Sequence, residues 1–256
     1  PDAPGAELVG RLPASCIELP MGAGRLPPTD DPNPHPPPLQ GRAICLWGGG
    51  IWPWFDMDTL IDAFSLIPDR DQGPVLFFLS GSNHRPDNHA DDPINYVKCR
   101  AEELGLLDRN IFFNQIHVAP DSLGPWLHHA AMGVMANPRS WESMVSWRTR
   151  YLDLLAAGTP LVVSGSDPLA DLMVEKGAAL QSHAGAPDLL ASNILRIAND
   201  RSLRQKLSES ALELGASLSR SSLDRKWIDS LKLDPWIPRN PAPVGLWNLL
   251  RFRLAR

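Results

Sequence analysis

Apolar and polar positions along this chain fall into alternating blocks with two different periods. Ala43 to Trp47 is a short continuous apolar run that stops at Gly48-Gly49-Gly50. After it, Leu60, Ile61, Phe64 and Ile67 recur at helical spacing, with Asp56 and Asp58 near the first turn. The reading is strand, glycine turn, helix. The alternation then repeats. Val75 to Leu79 predicts a second strand, 93–105 a helix, and Ile111 to Ile116 a third strand. A helix near 121–129 leads into a fourth strand at Met132 to Met135. Residues 147–157 predict a helix stopped by Gly158, 159–164 a fifth strand, 168–176 a short helix, and 178–181 a sixth strand. Helices follow from about 187 to 231.

Strands that are apolar throughout, alternating with amphipathic helices, imply a parallel sheet covered on both faces. The expected fold is therefore α/β, a doubly wound parallel sheet of Rossmann-like type with about six strands. Ligands of such sheets gather at the carboxyl ends of the strands. The loops after the first, third and fourth strands are the places to look.

The domain so defined spans 43–232. Residues 1–42 carry little periodicity and many prolines, including Pro34, Pro36, Pro37 and Pro38, and read as a linker or lead-in. Residues 233–256 contain a Pro-rich break and then Trp247-Asn-Leu-Leu-Arg-Phe-Arg-Leu-Ala-Arg256, a tail or linker whose apolar and basic character also suits an anionic membrane surface. The sequence begins at Pro1 rather than Met, so a piece of a longer polypeptide is expected.

Composition narrows the function classes. Of 256 residues, 43% are hydrophobic, enough for a sizeable core, and the net charge of −5 argues against a broad nucleic-acid surface. There is neither a run of about 18 apolar residues nor a signal peptide. Cys16, Cys45 and Cys99 are scattered as in reduced cytosolic proteins, and a cytoplasmic location is expected. No His-Glu-x-x-His occurs and His128-His129 are adjacent, so no metal site is expected.

Four places along the chain carry candidate chemistry. Gly48, Gly49 and Gly50 lack the spacing of a dinucleotide fingerprint and the lysine of a Walker loop. They fit either a backbone cradle for an anion or a tight strand-to-helix turn. Arg148 and Arg150 fall near the start of a helix after the fourth strand, where cations oppose the helix dipole and make sense beside a bound anion. Asp153, in a largely apolar helix, could accept from a ribose diol or could pair with either arginine at the surface. Ser164, ahead of Gly165-Ser166-Asp167, lies in a turn that could meet a ligand or cap the helix from Pro168.

The runs LWGGGIWPWFDMDTLIDAF, VLFFLSGSNH and WESMVSWRTRYLDLLAAGTPLVVSGSDPLADL resemble retaining family-4 glycosyltransferases of the GT-B fold. The resemblance covers about 43–232, the C-terminal, nucleotide-sugar-binding half of that fold. It implies a donor-binding domain of a transferase that moves a sugar from a nucleotide-diphosphate sugar to an acceptor hydroxyl with retention, in bacterial surface-polysaccharide synthesis. It places Gly48, Gly49 and Gly50 on the diphosphate and Asp153, in place of the family glutamate, on ribose. The family's first glutamate would fall at Val145, and Glu142 is the nearest acid; the Arg and Lys that follow the family's first strand are missing, and Arg148 and Arg150 stand in for their charge.

Glu142 and Arg148 are thus the expected catalytic pair, with Trp54, Asp56, His117, Arg150 and Ser164 as further substrate contacts. No metal or other cofactor is implied. The N-terminal half of the fold, with its acceptor site, is not part of this chain, so the isolated domain is expected to be inactive. Peripheral contact with the inner membrane is a further expectation. The alternative is a GT-B-like module that binds a nucleotide or partner without catalysis.

Overall fold

The computed structural model describes residues 21–24, 26, 39, 41–68, 71–80, 93–115 and 118–230. Six short strands, β1 (Ile44–Trp47), β2 (Val75–Phe78), β3 (Ile111–Phe113), β4 (Met132–Ala136), β5 (Leu161–Ser164) and β6 (Ala179–Ser182), form one sheet. Their order is β3-β2-β1-β4-β5-β6 and every pairing is parallel. The helices are α1 (Met57–Ser65), α2 (Pro93–Glu103), α3 (Leu123–His129), α4 (Trp141–Val145), α5 (Thr149–Ala156), α6 (Pro168–Glu175), α7 (Pro187–Asn199), α8 (Arg201–Ser217) and α9 (Arg220–Ser230). Residues to Leu223 make one compact unit; a second begins at Asp224, and its described part is the helical stretch 224–230.

The doubly wound parallel sheet is the one the apolar blocks predict. All residues of β1, β2, β4 and β5 are buried, as strands covered by helices on both faces must be. Several boundaries differ from the sequence reading, and two of these differences are larger than a residue or two at an element's end. The third strand stops at Phe113, although Asn114 still donates its backbone N–H to the Phe78 carbonyl. The helix expected from Trp147 starts two residues later, as α5 at Thr149, and an unpredicted short helix, α4, precedes it. Ser140 caps α4 by accepting from the Ser143 amide, Ser146 is extended (φ −79°, ψ 130°), and α5 starts afresh after Arg148.

Two close approaches fix α5 between the sheet and α8. A Cβ on Gly133 of β4 would lie 2.5 Å from Leu154 Cδ1, so only glycine lets α5 sit this near the strand. On its other side Gly215 of α8 passes so close that a Cβ would lie 2.6 Å from the Leu155 carbonyl oxygen. The lead-in also touches this domain. Ala23 donates to the Leu218 carbonyl and accepts from the Arg220 amide, and both Ala23 and Leu39 are buried.

Candidate anion-binding site

Strand order reverses at β1, whose neighbours are β2 and β4. Loops leaving the carboxyl ends of β1 and β4 diverge to opposite sides and leave a crevice between them. The glycine loop leaves β1 there, and α4 and α5 follow β4. The two walls are tied together where the Asp56 amide donates to the Ala136 carbonyl at 3.1 Å.

Arg150 crosses from the second wall to the first. Its Nη1 donates to the Gly50 carbonyl at 3.3 Å, and its guanidinium carbon lies 4.6 Å from the Phe55 ring centre and 5.4 Å from that of Trp47. A Cβ on Gly49 would stand 2.9 Å from that carbon, so Gly49 is where the loop makes room for the cation. Among the described residues Arg150 forms no ion pair. Burial, with repulsion from Arg148 adding to it, pulls its pKa down to about 10, and it stays charged at neutral pH. A half-buried cation with no carboxylate partner costs free energy that an anion would recover.

Arg148 is paired. Its Nη2 donates to Glu142 Oε2 at 2.6 Å and lies 3.4 Å from Ser143 Oγ, while its guanidinium carbon sits 5.1 Å from the Phe55 ring centre. Glu142 Oε1 also accepts from Ser146 at 2.6 Å. Burial opposes the Glu142 charge, but the bonds from Ser146 and Arg148 outweigh it and hold the carboxyl below its ordinary range. Arg148 is 8% exposed and its Nε has no hydrogen-bond partner among the described residues.

Asp153 lies one turn after Arg150 on the same helix, so the two share a face. Yet the surface pair that would explain Asp153 is not made: Arg148 is held by Glu142, Arg150 by the loop, and Asp153 forms no ion pair among the described residues. Burial raises its pKa.

Below this layer is a buried polar network that the sequence reading missed. Asp167 Oδ2 accepts from Tyr151 Oη at 2.9 Å and from Asn137 Nδ2 at 3.0 Å, while Oδ1 accepts from the amides of Leu169 and Ala170 and so caps α6. It locks the end of β4 and the start of α5 to the start of α6. An Asn directly after an apolar strand and an Asp directly before Pro168 were the available signals. Phe55, the shelf for both arginines, was also missed; an aromatic between Trp54 and Asp56 gives no hint that it carries cations.

The remaining candidates divide. Trp54 is 46% exposed and stacks on Trp52 beside the glycine loop. Asp56 caps α1, with its two carboxylate oxygens accepting from the Thr59 amide at 3.1 Å and the Thr59 hydroxyl at 2.7 Å. Ser164 is fully buried and donates to the His183 carbonyl at 3.0 Å, so its hydroxyl supports the turn. His117 lies outside the described residues. No group of three or more His, Cys, Asp or Glu able to hold a metal occurs among the described residues, and no described helix is long and apolar enough to cross a membrane. A cavity of about 740 Å³ at the other edge of the sheet includes Arg42, His128, His129 and Arg204, but it meets helix C-termini: Arg204 donates to the Ile197 and Ala198 carbonyls that end α7.

The sequence matches no family model and no curated protein. Solved structures do match. Sucrose-phosphate synthase from Thermosynechococcus elongatus superposes with a TM-score of 0.61 at 19% identity, over 82% of this chain and 50% of that one. Anabaena Alr3699/HepE in complex with UDP and glucose gives 0.61 at 15% identity, over 75% of this chain and 48% of that one. The C-terminal domain of a glycosyl transferase group 1 family protein (LpcC) from Francisella tularensis gives 0.53 at 12% identity, over 78% and 87%. The chain therefore spans about half the length of the first two. Its six-stranded sheet with flanking helices is the Rossmann-like α/β fold found in these glycosyltransferases of GT-B type.

Proposed function

We propose that this domain binds a nucleotide-diphosphate sugar in the crevice between the glycine loop and α5, as the donor-binding half of a retaining glycosyltransferase. The observation that carries the reading is Arg150, a half-buried cation without a carboxylate, facing glycine backbone at the point where strand order reverses. The diphosphate lies against Gly48, Gly49 and Gly50 with Arg150 and Arg148 as its counter-charges, and Asp153 accepts from the ribose hydroxyls. In the transfer step the bond from the anomeric carbon to phosphate oxygen breaks and the diphosphate leaves with the electron pair. The arginines stabilise that developing charge without a metal. Glu142 becomes available to the sugar when a phosphate takes its place on Arg148. The acceptor hydroxyl bonds to the anomeric carbon on the face the diphosphate left and gives its proton to the departing phosphate oxygen.

HepE, solved with UDP and glucose, supports UDP-glucose as the first donor to try. A cytoplasmic setting, peripheral to a membrane where surface polysaccharide is built, belongs to the same proposal. A second reading, a module that binds nucleotide or partner without catalysis, is favoured by the Glu142–Arg148 pair and by the exposed Val145 where the family carries glutamate. Calorimetry with UDP-, GDP- and TDP-sugars tests the binding common to both. Failure of all three at millimolar concentration would sink the donor-domain reading, and binding without transfer by the full two-half protein would leave the second.

A further inference from the structure

Helix α4 has its faces reversed. Of its five residues only Ser143 is buried, while Trp141 and Val145, one turn apart and so on one face, are 65% and 68% exposed. A surface helix is ordinarily held by an apolar stripe turned to the core, and α4 turns a serine there instead. What ties it down is polar. Ser140 caps its start, and Glu142 and Ser143 converge on the Arg148 guanidinium.

Those two side chains of α4 are the only hydrogen-bond partners of that guanidinium among the described residues. The pairing is one-sided. A carboxylate that forks onto arginine takes two parallel N–H bonds at once. Glu142 instead gives one oxygen to Nη2 and the other to the Ser146 hydroxyl. Arg148 Nε is left buried and without a partner, in a side chain only 7% exposed. A buried donor left unpaired is costly, so an anion that reaches Nη2 and Nε together gains more at Arg148 than Glu142 does. The Glu142 side chain, 45% exposed, has water to turn to when it is displaced.

We propose that α4 is an autoinhibitory latch. Glu142 occupies Arg148 as an internal anion, and a phosphate that takes Arg148 from it releases α4 from the domain. The ligand-free chain is thereby held in a low-affinity state, because binding must first break the Glu142–Arg148 pair. The ligand drives the change because it binds the released state better: Arg148 is covered by a carboxylate in one state and uncovered in the other. With no apolar face on the core and only five residues, the released segment has nothing to keep it helical. That the anion is the diphosphate of a nucleotide rests on the proposed donor reading; its displacement of Glu142 does not.

Calorimetry with inorganic pyrophosphate, and NMR hydrogen exchange at the Ser143 and Met144 amides that donate to Ser140, test the latch on the whole chain. Glu142→Gln keeps the size of the side chain and removes its charge. It should bind pyrophosphate about tenfold tighter than the native chain, the scale of one hydrogen bond to a charged group. In the Arg148→Ala background the same substitution should change nothing, whereas simple repulsion of anions by Glu142 would persist there. Pyrophosphate should speed exchange of the two amides in the native chain, and in Glu142→Gln they should exchange fast without it. Slower exchange on binding, or equal affinity in Glu142→Gln, overturns the latch. So does a gain that survives in Arg148→Ala, or an absence of pyrophosphate binding by both the native chain and Glu142→Gln. Equal affinities with UDP-glucose bound leave the donor reading standing alone. A gain in Glu142→Gln with no nucleotide sugar bound by either chain strikes the donor reading and leaves the latch.

Discussion

Arg150 and Gly49 separate what a charge contributes from where it stands. Hydrogen bonds to charged groups are worth about 1.5–3 kcal/mol, so Arg150→Ala is expected to weaken UDP-glucose binding about 10- to 150-fold in calorimetry. Gly49→Ala removes no charge, but its Cβ would meet the Arg150 guanidinium at 2.9 Å. The long side chain swings away, so affinity falls in the same direction while the melting temperature barely moves. If Gly49→Ala binds as well as the native chain, Arg150 does not act from the position it occupies. Asp153 is expected to show opposite signs for stability and binding. Burial raises its pKa, so ionisation opposes folding, and stability is lost as pH climbs from the ordinary aspartate value of about 3.9 through the raised one. Asp153→Asn should therefore melt higher than the native chain at pH 7 and equally at pH values below that ordinary range, yet bind nucleotide more weakly. A melting series across pH with parallel calorimetry reads both. By position alone Arg148 and Arg150 were alike near one helix start, and only the roles implied by the resemblance set Arg148 with Glu142 and Arg150 among the substrate contacts. What distinguishes them, the Glu142 carboxylate on Arg148 alone, depends on the extended link at 146–148 between α4, capped by Ser140, and α5.

At the scale of elements, the strands were legible because each is apolar throughout, and a strand covered on both faces has little choice. Helix α1 was legible for a related reason: its apolar stripe and its Asp56 cap agree. The short α4 was not, since its five residues are too few to show helical periodicity and only the Ser140 cap marks its start. Nor was the way α5 is pinned, because Gly133 and Gly215 have meaning only through residues far away in sequence. The second glycine yields a test. Gly215→Ala improves helix propensity by about 1 kcal/mol, but the new Cβ would lie 2.6 Å from the Leu155 carbonyl oxygen and 2.7 Å from its carbon, both backbone. Backbone cannot rotate aside, so α8 must shift from α5, and such overpacking costs about 1–3 kcal/mol. Net destabilisation is expected, at roughly 2–4 °C of melting temperature per kcal/mol for a chain of this size. A higher melting temperature would mean that α8 does not press on α5 as described. The shift would also carry into Arg150 and Asp153, so nucleotide affinity should drop with stability although the substitution touches neither.

For the whole molecule, the division of labour between sites decides what this chain can do unaided. The proposed donor site is built within a single sheet: β1 supplies the glycines, β4 and the helices after it supply Arg148, Arg150 and Asp153, and the Asn137–Tyr151–Asp167 network keeps those elements in place. Nothing in that set requires a second domain, so nucleotide binding should be measurable on this chain as it stands. Transfer needs more, because the reacting hydroxyl must be held in line with the anomeric carbon and water kept away from it. Here the crevice is open on the side where Trp52 and Trp54 are exposed, and the chain spans only about half of the sucrose-phosphate synthase and HepE chains it resembles in fold. The expected outcome is ligand-dependent stabilisation without turnover. UDP at a hundred times its dissociation constant should stabilise the fold by about 2.7 kcal/mol, and the rise in melting temperature should shrink with added salt because two cations carry the contact. The same sample given UDP-glucose and a disaccharide should release no UDP above the rate of hydrolysis. Stabilisation with salt dependence but no product fits a donor half waiting for its partner; steady product formation by this chain alone would require an acceptor arrangement complete within these 256 residues, and would move the chemistry wholly onto the edge of this sheet.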